Sequence, residues 1–179
     1  MAPPSNPERQ VSVLFVCLGN ICRSPMAEGV FRHMTRFGLP DADPRIRNVD
    51  SCGTGAYHEG QSPDHRTVAE LEEHGITEEQ YDHAARKFVT DDLINFDFIF
   101  AMDKDNLRHL EQARTRFIKK GTVDEFKVAK VQLWGAYGGK GQEEVVDPYY
   151  GARNGFQIAY EQMIRFSEGF LKDLTAGRL

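Results

Sequence analysis

Cysteine is scarce, with three in 179 residues. That odd and low count excludes the disulfide framework of a small secreted domain and points to a reducing compartment, the cytoplasm. Long apolar runs are missing as well. None approaches the roughly 20 residues that cross a bilayer, and the opening MAPPSNPERQ is polar and proline-rich rather than a signal sequence, so no membrane partner is expected. Positive charge is also in short supply: 22 Lys and Arg face 27 Asp and Glu, a formal charge of −5 with no basic block. This argues against nucleic acid as a partner. A small anionic substrate needs only one local positive site and stays open. No repeat or long linker divides the chain, so a disordered tail at residues 1–10 followed by one domain over residues 11–179 is expected.

What is present alternates between two patterns. Residues 11–18 (VSVLFVCL) are almost continuously apolar, short and β-branched or aromatic, as in a strand covered on both faces of a parallel sheet. Ser24-Pro25 then reads as an N-cap and first turn for a helix packing Met26, Ala27, Val30, Phe31 and Met34. Further strands are predicted at 46–52, 96–102 and 128–133. Helices are predicted at 62–74, around 90–95, at 103–117 and at 155–174, the last burying Phe156, Ile158, Ala159, Met163, Phe166, Phe170 and Leu171. Strands alternating with helices give a layered α/β fold.

The segment Cys17-Leu18-Gly19-Asn20-Ile21-Cys22-Arg23-Ser24 carries the chemistry. A cysteine ends a buried strand, an arginine follows six positions later, and a hydroxyl stands beside it at a helix start. The residues between can curl into a cup of converging N–H groups, with Gly19 supplying unusual backbone angles and the helix N-terminus adding partial positive charge. Such a cup fits a tetrahedral oxyanion and holds the sulfur of Cys17 ready as a nucleophile. Phosphoryl transfer also needs a proton for the leaving oxygen, and Asp147 in Asp147-Pro148-Tyr149-Tyr150 is the candidate, with a stiff proline and two aromatics beside it. Weaker signals resolve otherwise. The glycine-rich 135–141 stretch (GAYGGKG) lacks the spacing of a nucleotide-binding loop, because Trp134 stands at its first glycine position and Gly141 follows Lys140. Asp103, Asp105 and Asn106 lack a calcium loop's glycine and read as a helix cap. A zinc site on Cys17, Cys22 and a histidine has no paired ligands downstream.

The stretch VLFVCLGNICRSPMA at 13–27 resembles the active-site segment of the low-molecular-weight protein tyrosine phosphatases, and DPYYG at 147–151 resembles their acid loop. Val49-Asp50-Ser51, Ser62-Pro63-Asp64, His74-Gly75-Ile76, Ala101-Met102-Asp103 and Asn106-Leu107 match in the same order, so the likeness spans about 11–171. It implies a flavodoxin-like three-layer α/β/α fold, with a four-stranded parallel twisted sheet and helices on both faces. It implies hydrolysis of phosphotyrosine proteins and small aryl phosphates, including acid phosphatase activity, through a phosphocysteine on Cys17. Residues Leu18, Gly19, Asn20, Ile21, Cys22, Arg23 and Ser24 would bind phosphate, and Asp147 would act as general acid and then base, with no metal or cofactor.

The resemblance further implies that Asn20 bonds to Ser51 to hold the loop, that Ser24 stabilises Cys17 as a leaving group, and that His74 steadies the site at a distance, although a helix-end histidine bonded to carbonyls explains that position equally well. Leu18, Tyr57, Tyr149 and Tyr150 would wall the substrate pocket. Cys22 would pair with Cys17 under oxidation, inorganic phosphate and other oxyanions would inhibit, and a tyrosine kinase could modify Tyr149 or Tyr150. Two relatives of the same fold fit less well. Arsenate reductases relay a disulfide through further cysteines, and this chain has none after Cys52; arginine phosphatases tend to carry Thr where Ile21 stands. A binding module that had lost catalysis would be expected to lack Cys17, Arg23 or Asp147, and all three are present.

Overall fold

The computed structural model of the chain describes residues 10–121 and 123–179. The tail expected at residues 1–10 therefore lies, apart from Gln10, outside the described residues. The first apolar run forms β1 (Val11–Cys17), buried at every position. By the two-residue period of a strand, Val13, Phe15 and Cys17 join an apolar cluster on one side of the sheet, and Leu14 and Val16 join a second cluster on the other. This is why the run shows no polar alternation.

The remaining elements are α1 (Arg23–Thr35), β2 (Ile46–Gly53), α2 (His65–Glu73), α3 (Asp92–Asn95), β3 (Phe98–Ala101), α4 (Lys104–Lys119), β4 (Lys130–Leu133) and α5 (Gly155–Thr175). All four strands run parallel in the order β2-β1-β3-β4. Helices α1 and α5 pack on each other over one face, with α2 against both, while α4 covers β3 and β4 on the other. The α5 face is held by aromatics: the Phe170 ring meets Phe31, Phe98 and Phe100 at centroid distances of 5.9, 5.3 and 5.3 Å. Each such pair adds about 0.5–1.5 kcal/mol beyond the area it buries. The sheet order puts the carboxyl ends of β1 and β3 side by side, and the loops leaving them collect there.

Several boundaries depart from expectation for local reasons. The helix predicted at 62–74 begins at His65, because Asp64 makes the cap: its side chain accepts the Arg66 N–H. Asp103 likewise caps α4 through the Asn106 N–H, as a helix-cap reading requires. Ile158, expected inward, is 48% exposed. It lies at the rim of a buried stripe formed by Phe156, Ala159, Met163, Phe166 and Phe170, and the apolar face of a surface helix is too narrow for every apolar residue in the pattern.

Candidate active site

The loop from Cys17 to Ser24 joins the end of β1 to the start of α1. Its left-handed residue is not a glycine. Asn20 adopts φ 58°, a region asparagine tolerates better than most side chains, whereas Gly19 has no such angle. At Gly19 the constraint is a close approach: a Cβ there would sit 3.0 Å from the His58 ring, which would have to give by a few tenths of an ångström. Gly53, at the end of β2, is required by close approach, since a Cβ would meet the Leu18 carbonyl oxygen at 2.7 Å. Bonds from the Thr54 and Gly55 N–H groups to the carbonyls of Cys17 (2.9 Å) and Leu18 (3.0 Å) pin the outside of the loop.

The turn at Asn20 carries its N–H to Cys17 Sγ, at 3.3 Å. The Ser24 hydroxyl is 3.0 Å from the same sulfur. Ser24 is therefore not the helix cap that Ser24-Pro25 suggested: Cys22 occupies the N-cap position and no side chain caps α1. Among the described residues, the N–H groups of Leu18, Gly19, Ile21, Cys22 and Arg23 have no protein acceptor. A helix start whose first donors stay free beside a buried sulfur is a ready anion cradle.

The Arg23 guanidinium, 4% exposed, is aimed by three acceptors: Asp103 Oδ2 at 2.5 Å, the Val145 carbonyl at 3.0 Å and Asp147 Oδ2 at 3.4 Å. Burial opposes its charge, but the facing Cys17 and the Asp103 carboxylate outweigh that and hold it above its ordinary pKa. Asp147 Oδ1 accepts the Tyr149 N–H at 3.1 Å, so the 3₁₀ turn over Pro148–Tyr150 orients the same carboxylate that reaches Arg23. A cleft of about 390 Å³ opens above the loop, with Cys17 and Arg23 at its base and Asp147 on one wall. Leu18, Ile21, Tyr57, His58, Tyr149 and Tyr150 complete its sides.

A model of the low molecular weight phosphotyrosine protein phosphatases matches residues 12–178. The chain belongs to that family. A phosphatase of the family from Schizosaccharomyces pombe is 46% identical over 169 residues, covering 93% of this chain and 99% of the relative. Among solved structures, an Entamoeba histolytica protein tyrosine phosphatase with Hepes in its active site superposes with a TM-score of 0.78 at 33% identity, over 95% of this chain and all of that one. A Drosophila arginine phosphatase superposes with a TM-score of 0.74 at 35% identity, over 90% of this chain and 96% of its own.

Within this family member, the loop rests on a buried polar layer. Asn20 Nδ2 donates to Ser24 Oγ at 2.9 Å and to Ser51 Oγ at 3.0 Å, and Asn20 Oδ1 accepts the Arg86 N–H at 2.9 Å. Ser51 in turn donates to Glu28 Oε2 at 2.6 Å. The histidine in this layer is His83. Its Nε2 lies 2.9 Å from the Asn20 carbonyl and its Nδ1 lies 3.2 Å from Glu28. His74, expected to steady the site, stands at the C-cap of α2, stacked on Tyr160 at 3.8 Å and 3.4 Å from Glu70. No described contact joins it to the loop. His58, His83, Glu28 and Asp103 are the site-forming residues that sequence reasoning did not assign.

Cys22 is a buried free thiol, pushed up to about 12 by burial and next by Asp64. Cys52 is buried on the opposite side of the sheet from Cys17, and burial likewise raises it well above the usual thiol value. Among the described residues no cluster of three or more His, Cys, Asp or Glu is arranged to hold a metal ion, and no helix is long and apolar enough to cross a membrane.

Proposed function

We propose that this chain is a cysteine-dependent protein tyrosine phosphatase that hydrolyses phosphotyrosine proteins and small aryl phosphates, with a catalytic domain spanning residues 11–179. One observation carries the reading: the Cys17 sulfur, the Arg23 guanidinium and the Asp147 carboxyl share a single cleft whose mouth is walled by tyrosines. Cys17 Sγ attacks phosphorus in line while the ester P–O bond breaks, and Asp147 transfers its proton to the departing phenolic oxygen. The free N–H groups and Arg23 meet the three equatorial oxygens, where charge concentrates in the transition state. Asp147, now a carboxylate, takes a proton from water whose oxygen attacks the phosphocysteine. Inorganic phosphate leaves and the thiolate is restored. Phosphate and other oxyanions compete for the same cradle.

The 3% exposure of Cys17 favours a long phosphotyrosine over shorter phosphoserine, and the aromatic walls suit ring stacking. The apolar Ile21 on the wall supports phosphotyrosine over phosphoarginine. Three unpaired buried cysteines support a reducing compartment, the cytoplasm, and the 86% exposure of Tyr150 supports access by a tyrosine kinase.

Acid-quenched turnover of an aryl phosphate in the presence of a chelator, followed by peptide mass spectrometry, should place one phosphate on Cys17. A panel of phosphopeptides should show release from phosphotyrosine ahead of phosphoarginine. Turnover without a phosphocysteine, or faster release from phosphoarginine, replaces the reading. The same mass spectrometry tests the role of Cys22: after peroxide, a Cys17–Cys22 disulfide is expected, and sulfonic acid on Cys17 alone rejects that role.

A further inference from the structure

Three loops meet at the cleft, and Arg66, outside the catalytic set, joins the start of α2 to the loop that carries Tyr149. The start of α2 is stitched to the 17–24 loop: the Asp64 N–H donates to the Ile21 carbonyl at 2.8 Å, and the Thr67 hydroxyl donates to the Cys22 carbonyl at 3.4 Å. From this anchored turn Arg66 reaches back in a two-pronged bond to Asp64, Nε to Oδ1 at 2.9 Å and NH2 to Oδ2 at 2.8 Å. That fork holds the Asp64 carboxyl below the usual carboxylate range and fixes the plane of the guanidinium.

The same guanidinium lies between two rings, 5.0 Å from the centroid of Tyr149 and 4.8 Å from that of Phe156 at the start of α5. Its NH1 donates to the Tyr149 carbonyl at 3.4 Å. Tyr149 is also the residue whose N–H is accepted by Asp147. The chain of contacts therefore runs from Ile21 through Asp64, Arg66 and Tyr149 to Asp147, and Asp147 closes it on Arg23.

We propose that Arg66 is a positioning residue for proton transfer, holding the 147–151 loop at the height over Cys17 at which the Asp147 carboxyl meets the leaving oxygen. The inference rests on the phosphatase reading. A planar guanidinium is required because it must fork onto a carboxylate and stack on rings at once, which a lysine ammonium cannot do. The cationic stacking on each ring is worth little singly at an exposed site, but the device works by geometry: a displacement of about 1 Å in a catalytic group can cost up to about 100-fold in rate.

The test compares Arg66→Ala and Arg66→Lys with the unaltered protein, using kcat/KM for aryl phosphates of graded leaving-group acidity. Phenyl phosphate, whose leaving oxygen needs the proton, should lose about tenfold in Arg66→Ala, while 2,4-dinitrophenyl phosphate changes less than about twofold. Arg66→Lys should fall between, and vanadate inhibition should stay within about twofold. In an Asp147→Ala background, Arg66→Ala should cost nothing further, because the group it positions is gone. An equal loss on both esters, or the full loss persisting without Asp147, overturns the proposal and leaves Arg66 a structural residue. Amide hydrogen exchange of the vanadate-bound protein supplies a readout independent of turnover. Arg66→Ala should speed exchange across residues 147–155 and leave residues 17–24 unchanged; unchanged exchange at 147–155 overturns the positioning role. Absence of turnover by the unaltered protein would instead refute the phosphatase reading.

Discussion

Cys17→Ser should lower turnover of p-nitrophenyl phosphate by about 10⁴-fold or more while leaving vanadate affinity within a few-fold. The size of the loss follows from what surrounds the sulfur. Its neighbours are the Asn20 N–H, which donates to it at 3.3 Å, and the Ser24 hydroxyl at 3.0 Å. Neither is a base that could take the proton of a serine, so the substituted oxygen stays a neutral and weak nucleophile. The anion cradle is untouched by the change. The N–H groups of Leu18, Gly19, Ile21, Cys22 and Arg23 and the guanidinium of Arg23 keep their places, because Arg23 is aimed by Asp103, Val145 and Asp147 rather than by the sulfur alone. Initial rates with p-nitrophenyl phosphate and titration with vanadate measure the two halves separately. Turnover above about 1% of the unaltered rate would remove Cys17 from the chemistry, and loss of vanadate binding would show that the sulfur, not the N–H cradle, holds the anion.

The nucleophile loop was legible because its parts are contiguous. Cys17, Arg23 and Ser24 lie within eight residues between a buried strand and a helix, so spacing alone brings them to one place. Asp147 was legible from its proline and aromatic neighbours. What lay hidden was held by tertiary contact. Asp103 is 80 positions from Arg23, and as a helix cap it already had a sufficient local explanation; its second oxygen, turned to Arg23, has no local signal. His74 and His83 are both histidines past the same helix, and only the path of the 75–86 segment, which carries the Ala85 N–H to Gln61 and the Arg86 carbonyl to Gly53, decides that His83 arrives beneath the loop. Glycine spacing misplaced the left-handed residue for a related reason. Asn20 can accept φ 58° because its buried amide gains bonds to Ser24, Ser51 and Arg86, and such compensation is invisible until those partners are folded around it.

Removal of the proton donor should separate the two chemical steps. Asp147→Ala is expected to cost about 10²- to 10⁴-fold in kcat/KM for phenyl phosphate, the usual range for a positioned general acid. An activated ester such as 2,4-dinitrophenyl phosphate should lose far less, because its phenolate departs without a proton. Water still has to attack the phosphocysteine, and the base for that step is also missing. With the activated ester the variant should therefore release a burst of one phenolate per Cys17 and then slow, with phosphocysteine accumulating. Arg23 survives the change with two of its three acceptors, Asp103 and the Val145 carbonyl, so vanadate should still bind. The geometry makes Asp147 suited to act twice. Its carboxyl is 38% exposed, so it faces the incoming water as readily as the departing phenol, while the Tyr149 N–H and Arg23 keep it on the cleft wall. Stopped-flow absorbance of the phenolate, with acid quench for the protein-bound phosphate, reads both steps. Equal losses on the two esters with no burst would move the proton donor to another residue, and the half-buried His58, which lines the same cleft, would be the first to substitute.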